Sequence, residues 1–99
     1  MTATYRLTPA ALRDLDNIAD YTLAHWGVDQ MDRYVRRLME RCAWLGGRPN
    51  AGRRRPDIHP EYMCFPEGKH LVFYLSEADQ VTVIGLVHQS MDVVAHFDG

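Results

Sequence analysis

Two apolar runs decide the fold: His70-Leu71-Val72-Phe73-Tyr74-Leu75 and Val81-Thr82-Val83-Ile84-Gly85-Leu86-Val87. Both are rich in β-branched and aromatic residues, which pack well on a pleated surface. The residues from Ser76 to Gln80 supply a turn between them. The pattern therefore predicts two long neighbouring strands. Because both runs are almost continuously apolar, we expect helices on one face of their sheet and a partner over part of the other.

A further strand precedes this hairpin. Tyr62-Met63-Cys64-Phe65 has the same strand-like composition, and Pro66-Glu67-Gly68 supplies the turn that follows it. Before it, the segment from Arg48 to Pro56 contains Gly52, two prolines and the Arg53-Arg54-Arg55 run, without any period. We predict that this segment is an exposed loop.

Two helices come before the loop. A short strand at Tyr5-Arg6-Leu7 leads into Thr8-Pro9, an N-cap residue followed by a proline suited to the first helical position. Apolar residues then recur at helical spacing as far as Trp26-Gly27. Asp29 can cap a second helix, which Gly46-Gly47 ends. Helices joined by so short a turn should pack as an antiparallel hairpin.

The complete order is β-α-α-β-β-β, with Ser90 placed to cap a final helical turn through Met91, Val94 and Phe97. Residues 1–99 contain no linker and no internal repeat, so we predict one domain. Its fold class is α+β with two layers, a helical hairpin packed on a mostly antiparallel sheet, and a short C-terminal helix.

The net charge of -2 is unevenly distributed. Between Arg33 and Arg55 there are eight arginines against Glu40 alone, a local charge of +7. The Arg53-Arg54-Arg55 run could simply keep a loop solvated. Together with the rest of this segment, it indicates an anionic partner.

Several classes of site and location are disfavoured. No run approaches the ~20 apolar residues of a membrane span, and the amino terminus does not resemble an export signal. Cys42 and Cys64 read as core residues of a reduced protein, so we expect a cytoplasmic location. Neither metal-ligand spacing nor a Gly-rich phosphate loop is present, so we expect no metal and no cofactor.

Five motifs resemble those of ParE toxins, in the ParE/RelE superfamily of type II toxin-antitoxin systems. Along the chain they are Tyr5-x-Leu7-Thr8-x-x-Ala11-x-x-Asp14-Leu15-x-x-Ile18-x-x-Tyr21-Thr22, Trp26-Gly27-x-x-Gln30-x-x-x-Tyr34-x-x-x-Leu38, Pro49-x-x-Gly52-Arg53, Gly68-x-His70-x-Val72-Phe73-Tyr74, and Leu86-Val87-His88-Gln89-x-Met91-Asp92-x-x-x-His96-Phe97. Each motif alone is weak, whereas their order and spacing together are specific. One departure is Gly85, where many relatives carry an arginine.

The resemblance implies a toxin that inhibits DNA gyrase, and so replication, by binding rather than by catalysis. It also implies a ParD-like antitoxin, with a segment that folds on binding across the hairpin and the sheet. Candidate target-binding residues are Arg53, Arg54, Arg55, Lys69 and His88. Candidate antitoxin-binding residues are Tyr34, Leu38, Arg41, Leu45 and Phe73.

Two other functions stay open. A ribosome-dependent mRNA endonuclease of the RelE type needs cations for phosphate and groups that move protons. Arg53, Arg54, Arg55 and Lys69 could supply the first, and His70, His88 or Tyr74 the second. Alternatively, the chain is a binding module that has lost toxicity.

Overall fold

A computed structural model describes residues 4–78 and 80–98, so Asp79 in the predicted 76–80 turn lies outside the described residues. The elements are β1 (Tyr5–Leu7), α1 (Pro9–Trp26), α2 (Val28–Gly47), β2 (Arg53–Arg54), β3 (Met63–Glu67), β4 (His70–Glu77), β5 (Gln80–His88) and α3 (Val93–Asp98). The sheet order is β1-β5-β4-β3-β2, with β1 parallel to β5 and the other pairs antiparallel. The α+β class with a helical hairpin and a short C-terminal helix is confirmed.

The helical hairpin begins as the sequence predicts. The Thr8 hydroxyl accepts a hydrogen bond from the Ala11 N–H at 3.2 Å, and Pro9 occupies the first helical position. Between the helices Gly27 adopts φ 90°, which favours glycine, and it is itself the cap of α2. The prediction that Asp29 caps α2 is wrong, because Asp29 lies in the first turn of the helix.

The main core lies between the helical hairpin and one face of the sheet. Helix residues Ala11, Ile18, Leu38, Cys42 and Leu45 pack there against Val72, Tyr74, Val81, Val83 and Leu86. Burial raises the pKa of the Cys42 thiol to about 12, so the thiol stays protonated. Cys42 and Cys64 are both free and buried, as expected of core residues.

The second face of the sheet is covered by the chain itself. Cys64, Phe73 and Val87 are buried there beneath Ile58, Tyr62, Val93 and Phe97, among others. An irregularity in the β4–β5 register leaves Ile84 unpaired between Val83 and Gly85. Helix α3 therefore occupies part of the face on which the sequence predicted a partner.

Two local predictions need correction. The residues Arg53–Arg54 do not lie in a loop, because they pair with Met63 and Cys64 as a short edge strand. A two-residue strand of arginines has no apolar alternation, so nothing in the local sequence indicates it. The cap of α3 is Asp92, which accepts from the Ala95 N–H at 3.2 Å, and the helix begins at Val93 rather than after Ser90.

A buried tyrosine fixes β2 to the core. The Tyr74 hydroxyl donates to the Pro49 carbonyl at 2.8 Å and accepts from the Gly52 N–H at 2.9 Å. A Cβ on Gly52 would lie 2.4 Å from that hydroxyl oxygen, so the contact requires glycine. Among the described residues, no helix combines the length and the apolar character needed to cross a membrane.

Candidate functional site

An open groove of about 740 Å³ runs between the helical hairpin and the sheet. Ile18, Thr22 and Leu86 contribute its buried surface. Tyr21 and Trp26 of α1 line it while 62% and 71% exposed, and Met91, after β5, is 50% exposed. Trp26 belongs to the apolar residues that recur at helical spacing along α1. The exposure of Trp26 depends on how the helices pack on the sheet. Large apolar side chains therefore line a groove that this chain leaves uncovered.

A hydrogen-bonded cluster lies along this groove. The Tyr34 hydroxyl is 2.5 Å from Nδ1 of His70, and the Lys69 N–H donates to the same hydroxyl oxygen at 3.2 Å. Gly68 adopts φ 58°, and a Cβ there would lie 2.7 Å from the Tyr34 ring. The turn before β4 therefore needs glycine in order to bring these groups together.

His88 lies beside His70 in the same groove. The two ring centroids are 5.2 Å apart and the rings are nearly perpendicular. Burial lowers the pKa of His70 to about 4, with the nearby His88 adding to the shift. Burial also raises the pKa of Tyr34. At neutral pH the hydrogen-bonded pair of His70 and Tyr34 therefore consists of an uncharged imidazole and an uncharged phenol.

Asp14 and His96 join α1, β5 and α3 along another part of the groove. One carboxylate oxygen of Asp14 accepts from the Leu86 N–H at 3.0 Å and lies 3.1 Å from Nε2 of His96. Strand β1 pairs with β5 only as far as Val83, so the carboxylate satisfies a backbone donor beyond that point. Neither side chain has a role that the sequence predicted.

The predicted target-binding residues fall in two separate places. Lys69 and His88 line the groove described above. Arg53, Arg54 and Arg55 line a second depression, of about 420 Å³, beside β2. Arg55 is held by Asp57 at 2.9 Å and lies over the Phe73 ring, whereas Arg53 and Arg54 are exposed. The hydrogen bond to Asp57 raises the pKa of Arg55, and the same bond lowers the pKa of Asp57.

Burial contradicts the prediction that three of the candidate residues contact the antitoxin. Leu38, Leu45 and Phe73 have no exposed surface, because this chain's own core encloses them. Leu38 and Leu45 lie on the apolar stripe of α2, and this stripe faces the sheet. Tyr34 does line the groove. Arg41 is half-buried, 2.9 Å from Glu67 and over the rings of Trp44 and Phe65, which gives it a packing role.

Intramolecular pairs reduce the free charge of the +7 segment. Arg36 pairs with Asp32, while Arg37 and Arg41 both reach Glu67. In the part of the chain that the structure describes, no ion pair within 4.0 Å involves Arg53, Arg54 or Lys69. The cations free for a partner are thus fewer than the sequence count indicates.

Comparisons with known proteins agree on one family. The family model described as "ParE toxin of type II toxin-antitoxin system, parDE" matches residues 5–93. Toxin ParE1 of Mycobacterium tuberculosis is 36% identical over 94 residues, which cover 94% of this chain and 96% of that protein. Toxin ParE1 of Caulobacter vibrioides is 35% identical over 92 residues, covering 93% and 95%.

A solved structure shares the fold. A chain of the "Chromosomal ParDE TA system from P. aeruginosa" superposes with a TM-score of 0.74 at 18% identity, covering 88% of this chain and 96% of its own. On the family model and the sequence relatives, this chain belongs to the ParE toxin family of type II toxin-antitoxin systems.

Proposed function

We propose that this chain is the toxin of a type II pair that inhibits DNA gyrase and so blocks replication, and that a ParD-like antitoxin neutralises it by occupying the groove. The observation that carries the proposal is the uncovered groove with exposed Tyr21, Trp26 and Met91, in a chain whose relatives are named ParE toxins. Gyrase inhibition is what the resemblance implies for such a toxin.

The groove is suited to a segment that folds as it binds. An amphipathic helix can place its apolar face in such a groove, and Trp26 and Tyr21 are residue types that dominate binding energy. Each aromatic side chain can bury up to ~150–250 Å². Lys69 and Arg37 line the same groove, so an antitoxin segment with both apolar and acidic residues would match it.

The exposed arginines of β2 are the proposed contact with gyrase or its bound DNA. Arg53 and Arg54 lie on the free edge of the sheet, outside the groove. An antitoxin in the groove would therefore leave them uncovered unless it extends over β2. We expect Arg53→Ala with Arg54→Ala to reduce gyrase inhibition while antitoxin binding persists.

A supercoiling assay tests the proposed activity. Gyrase is incubated with relaxed plasmid and increasing toxin, with and without the ParD-like protein. We expect supercoiling to stop, cleaved plasmid to accumulate, and the antitoxin to reverse both effects. Full supercoiling at saturating toxin would contradict the gyrase proposal.

Ribosome-dependent RNA cleavage is the second candidate, because His70 and His88 lie together with Tyr34 and Lys69 in one groove. Tyr74 does not belong to that group, since its hydroxyl binds Pro49 and Gly52. Toxin added to translating ribosomes should cut mRNA if this candidate is correct, and Lys69→Ala with Arg53→Ala should abolish the cutting. Unchanged growth on induction without an antitoxin would instead indicate a non-toxic binding module.

A further inference from the structure

Hydrogen bonds at Nδ1 restrict where the two groove histidines carry their ring protons. Nδ1 of His88 accepts a hydrogen bond from the backbone N–H of Ser90 at 3.1 Å, and the Ser90 hydroxyl lies 2.7 Å from the same nitrogen. A nitrogen that accepts from a backbone N–H carries no proton of its own. The single ring proton of His88 is therefore on Nε2.

Tyr34 makes the corresponding contact with His70. The Tyr34 oxygen already accepts the Lys69 N–H, and its own proton has two possible acceptors. Nδ1 of His70 is 2.5 Å away, whereas the Glu67 carbonyl oxygen is 3.4 Å away. We infer that the hydroxyl proton goes to the nearer acceptor, which places the ring proton of His70 on Nε2 as well.

The two histidines share the groove with an uncompensated cation. Lys69 precedes His70 directly and lines the same groove, and no ion pair occupies its ammonium group among residues 4–78 and 80–98. The acid nearest along the chain, Glu67, is taken up by Arg37 and Arg41. Two fixed donors and a free positive charge form a set that suits an oxyanion.

We propose that His70, His88 and Lys69 form an oxyanion-binding site in the groove, which receives a side-chain carboxylate of the segment that docks there. This inference rests on the proposed occupation of the groove by an acidic amphipathic partner. Tyr34 and Ser90 act as positioning residues, because they fix the protons of the two histidines without touching the carboxylate.

Nitrogen NMR of the free toxin is the first test. With ¹⁵N-labelled histidine at pH 7.5, both rings should show an unprotonated Nδ1 and a protonated Nε2. Sodium acetate, titrated at constant ionic strength, should shift both Nε2 signals and saturate, whereas acetamide should not. A protonated Nδ1 on either ring, or no saturable response to acetate, would overturn the proposal. Saturation by sulfate but not by acetate would also overturn it.

Charge-matched variants are the second test. Lys69→Met and Arg54→Met each remove one exposed positive charge, but only the first lies in the groove. Losing one charge-assisted contact should weaken acetate binding about 10-fold in Lys69→Met, while Arg54→Met should bind as wild type does. An equal response of the two variants would contradict a localised site.

Binding of the ParD-like protein separates this inference from the function proposed above. Trp26→Ala tests whether the partner uses the groove, and His88→Phe tests the oxyanion site. If Trp26→Ala weakens binding and His88→Phe does not, the site is wrong and groove docking stands. If Trp26→Ala has no effect, groove docking is wrong and so is the proposed partner carboxylate, while the acetate titration shows separately whether His70, His88 and Lys69 bind an oxyanion.

Discussion

Gly85 and Phe97 are two residues whose sizes are matched. A Cβ on Gly85 would lie 2.8 Å from two carbons of the Phe97 ring, closer than Cβ atoms in real structures come to other non-bonded atoms. The ring also packs against Phe73 and Tyr62, with centroids 5.1 and 5.3 Å away. The absence of a side chain at Gly85 is therefore what allows the Phe97 ring of α3 to lie on this face of the sheet.

We predict that Gly85→Ala destabilises the fold by about 1–3 kcal/mol, the usual cost of overpacking a filled site. Urea unfolding followed by circular dichroism would measure the change. The double variant Gly85→Ala with Phe97→Ala provides the control, because the added methyl group then meets no ring. An equal cost of Gly85→Ala in both backgrounds would show that the Phe97 contact is not the cause.

His70 makes stability depend on pH. Its pKa is lowered from 6.5 to about 4, so between these values the unfolded chain binds a proton that the folded chain does not. Stability contributed by the neutral imidazole is present above about pH 6.5 and falls as the pH falls toward 4. Because solvent partly screens this half-buried ring, the pKa difference contributes about 2 kcal/mol to the free energy of unfolding.

Replacing His70 by Asn should remove this pH dependence, while the amide oxygen can still accept from Tyr34. We expect wild type to lose about 2 kcal/mol more than His70→Asn between pH 7 and pH 4.5. Unfolding in urea at both pH values would give the difference, and the titrating groups other than His88, which is coupled to His70, cancel between the two proteins. Parallel losses in both proteins would rule out His70 as the source.

At the scale of elements, Asp14 links three parts of the fold. Its carboxylate accepts from the backbone of β5 and pairs with His96 of α3, while its own residue belongs to α1. The carboxylate and the Leu86 N–H are both largely shielded from water. Removing the acceptor would leave a buried donor unsatisfied, which costs more than an exposed hydrogen bond is worth.

We predict that Asp14→Ala lowers the free energy of unfolding by about 1–3 kcal/mol. The exchange of the Leu86 amide hydrogen should also become faster, because the variant lacks the acceptor that protects it. Asp16→Ala is the matched control, since Asp16 is exposed on the same helix and should change stability by less than about 0.5 kcal/mol. Similar effects of the two substitutions would contradict the assigned role.

At the scale of the whole molecule, the hydrophobic core is small. A chain of 99 residues buries only somewhat over ~60% of the surface that its unfolded form exposes. The groove leaves further apolar surface uncovered, at Tyr21, Trp26 and Met91. A partner that binds only the folded chain therefore adds a large share of the total stability.

Addition of the ParD-like protein at about 100 times its Kd should stabilise the toxin by about 2.7 kcal/mol, or at least ~10 °C in Tm. Scanning calorimetry of the toxin alone and in the complex would measure this shift. Trp26→Ala should show a smaller shift at the same concentrations, because less apolar surface is buried. A shift identical to that of wild type would mean that the partner binds elsewhere.

The sequence by itself determined the order of the main elements, the cap at Thr8 and the burial of Cys42 and Cys64. Helical and strand periods, caps and turns depend on residues within a few positions of one another, so they are readable from a single chain. The resemblance to ParE toxins was equally readable, because it depends on motifs in a fixed order.

Only the tertiary structure decided which side chains meet across the fold. Tyr34 and His70 are 36 residues apart, and Asp14 and His96 are 82 apart, so no local pattern connects them. The same holds for the edge strand at Arg53–Arg54 and for the burial of Phe73 under α3. Leu38 and Trp26 both lie at apolar helical positions, so their spacing gives the same prediction of burial for each. The packing of the helices on the sheet buries Leu38 and leaves Trp26 exposed.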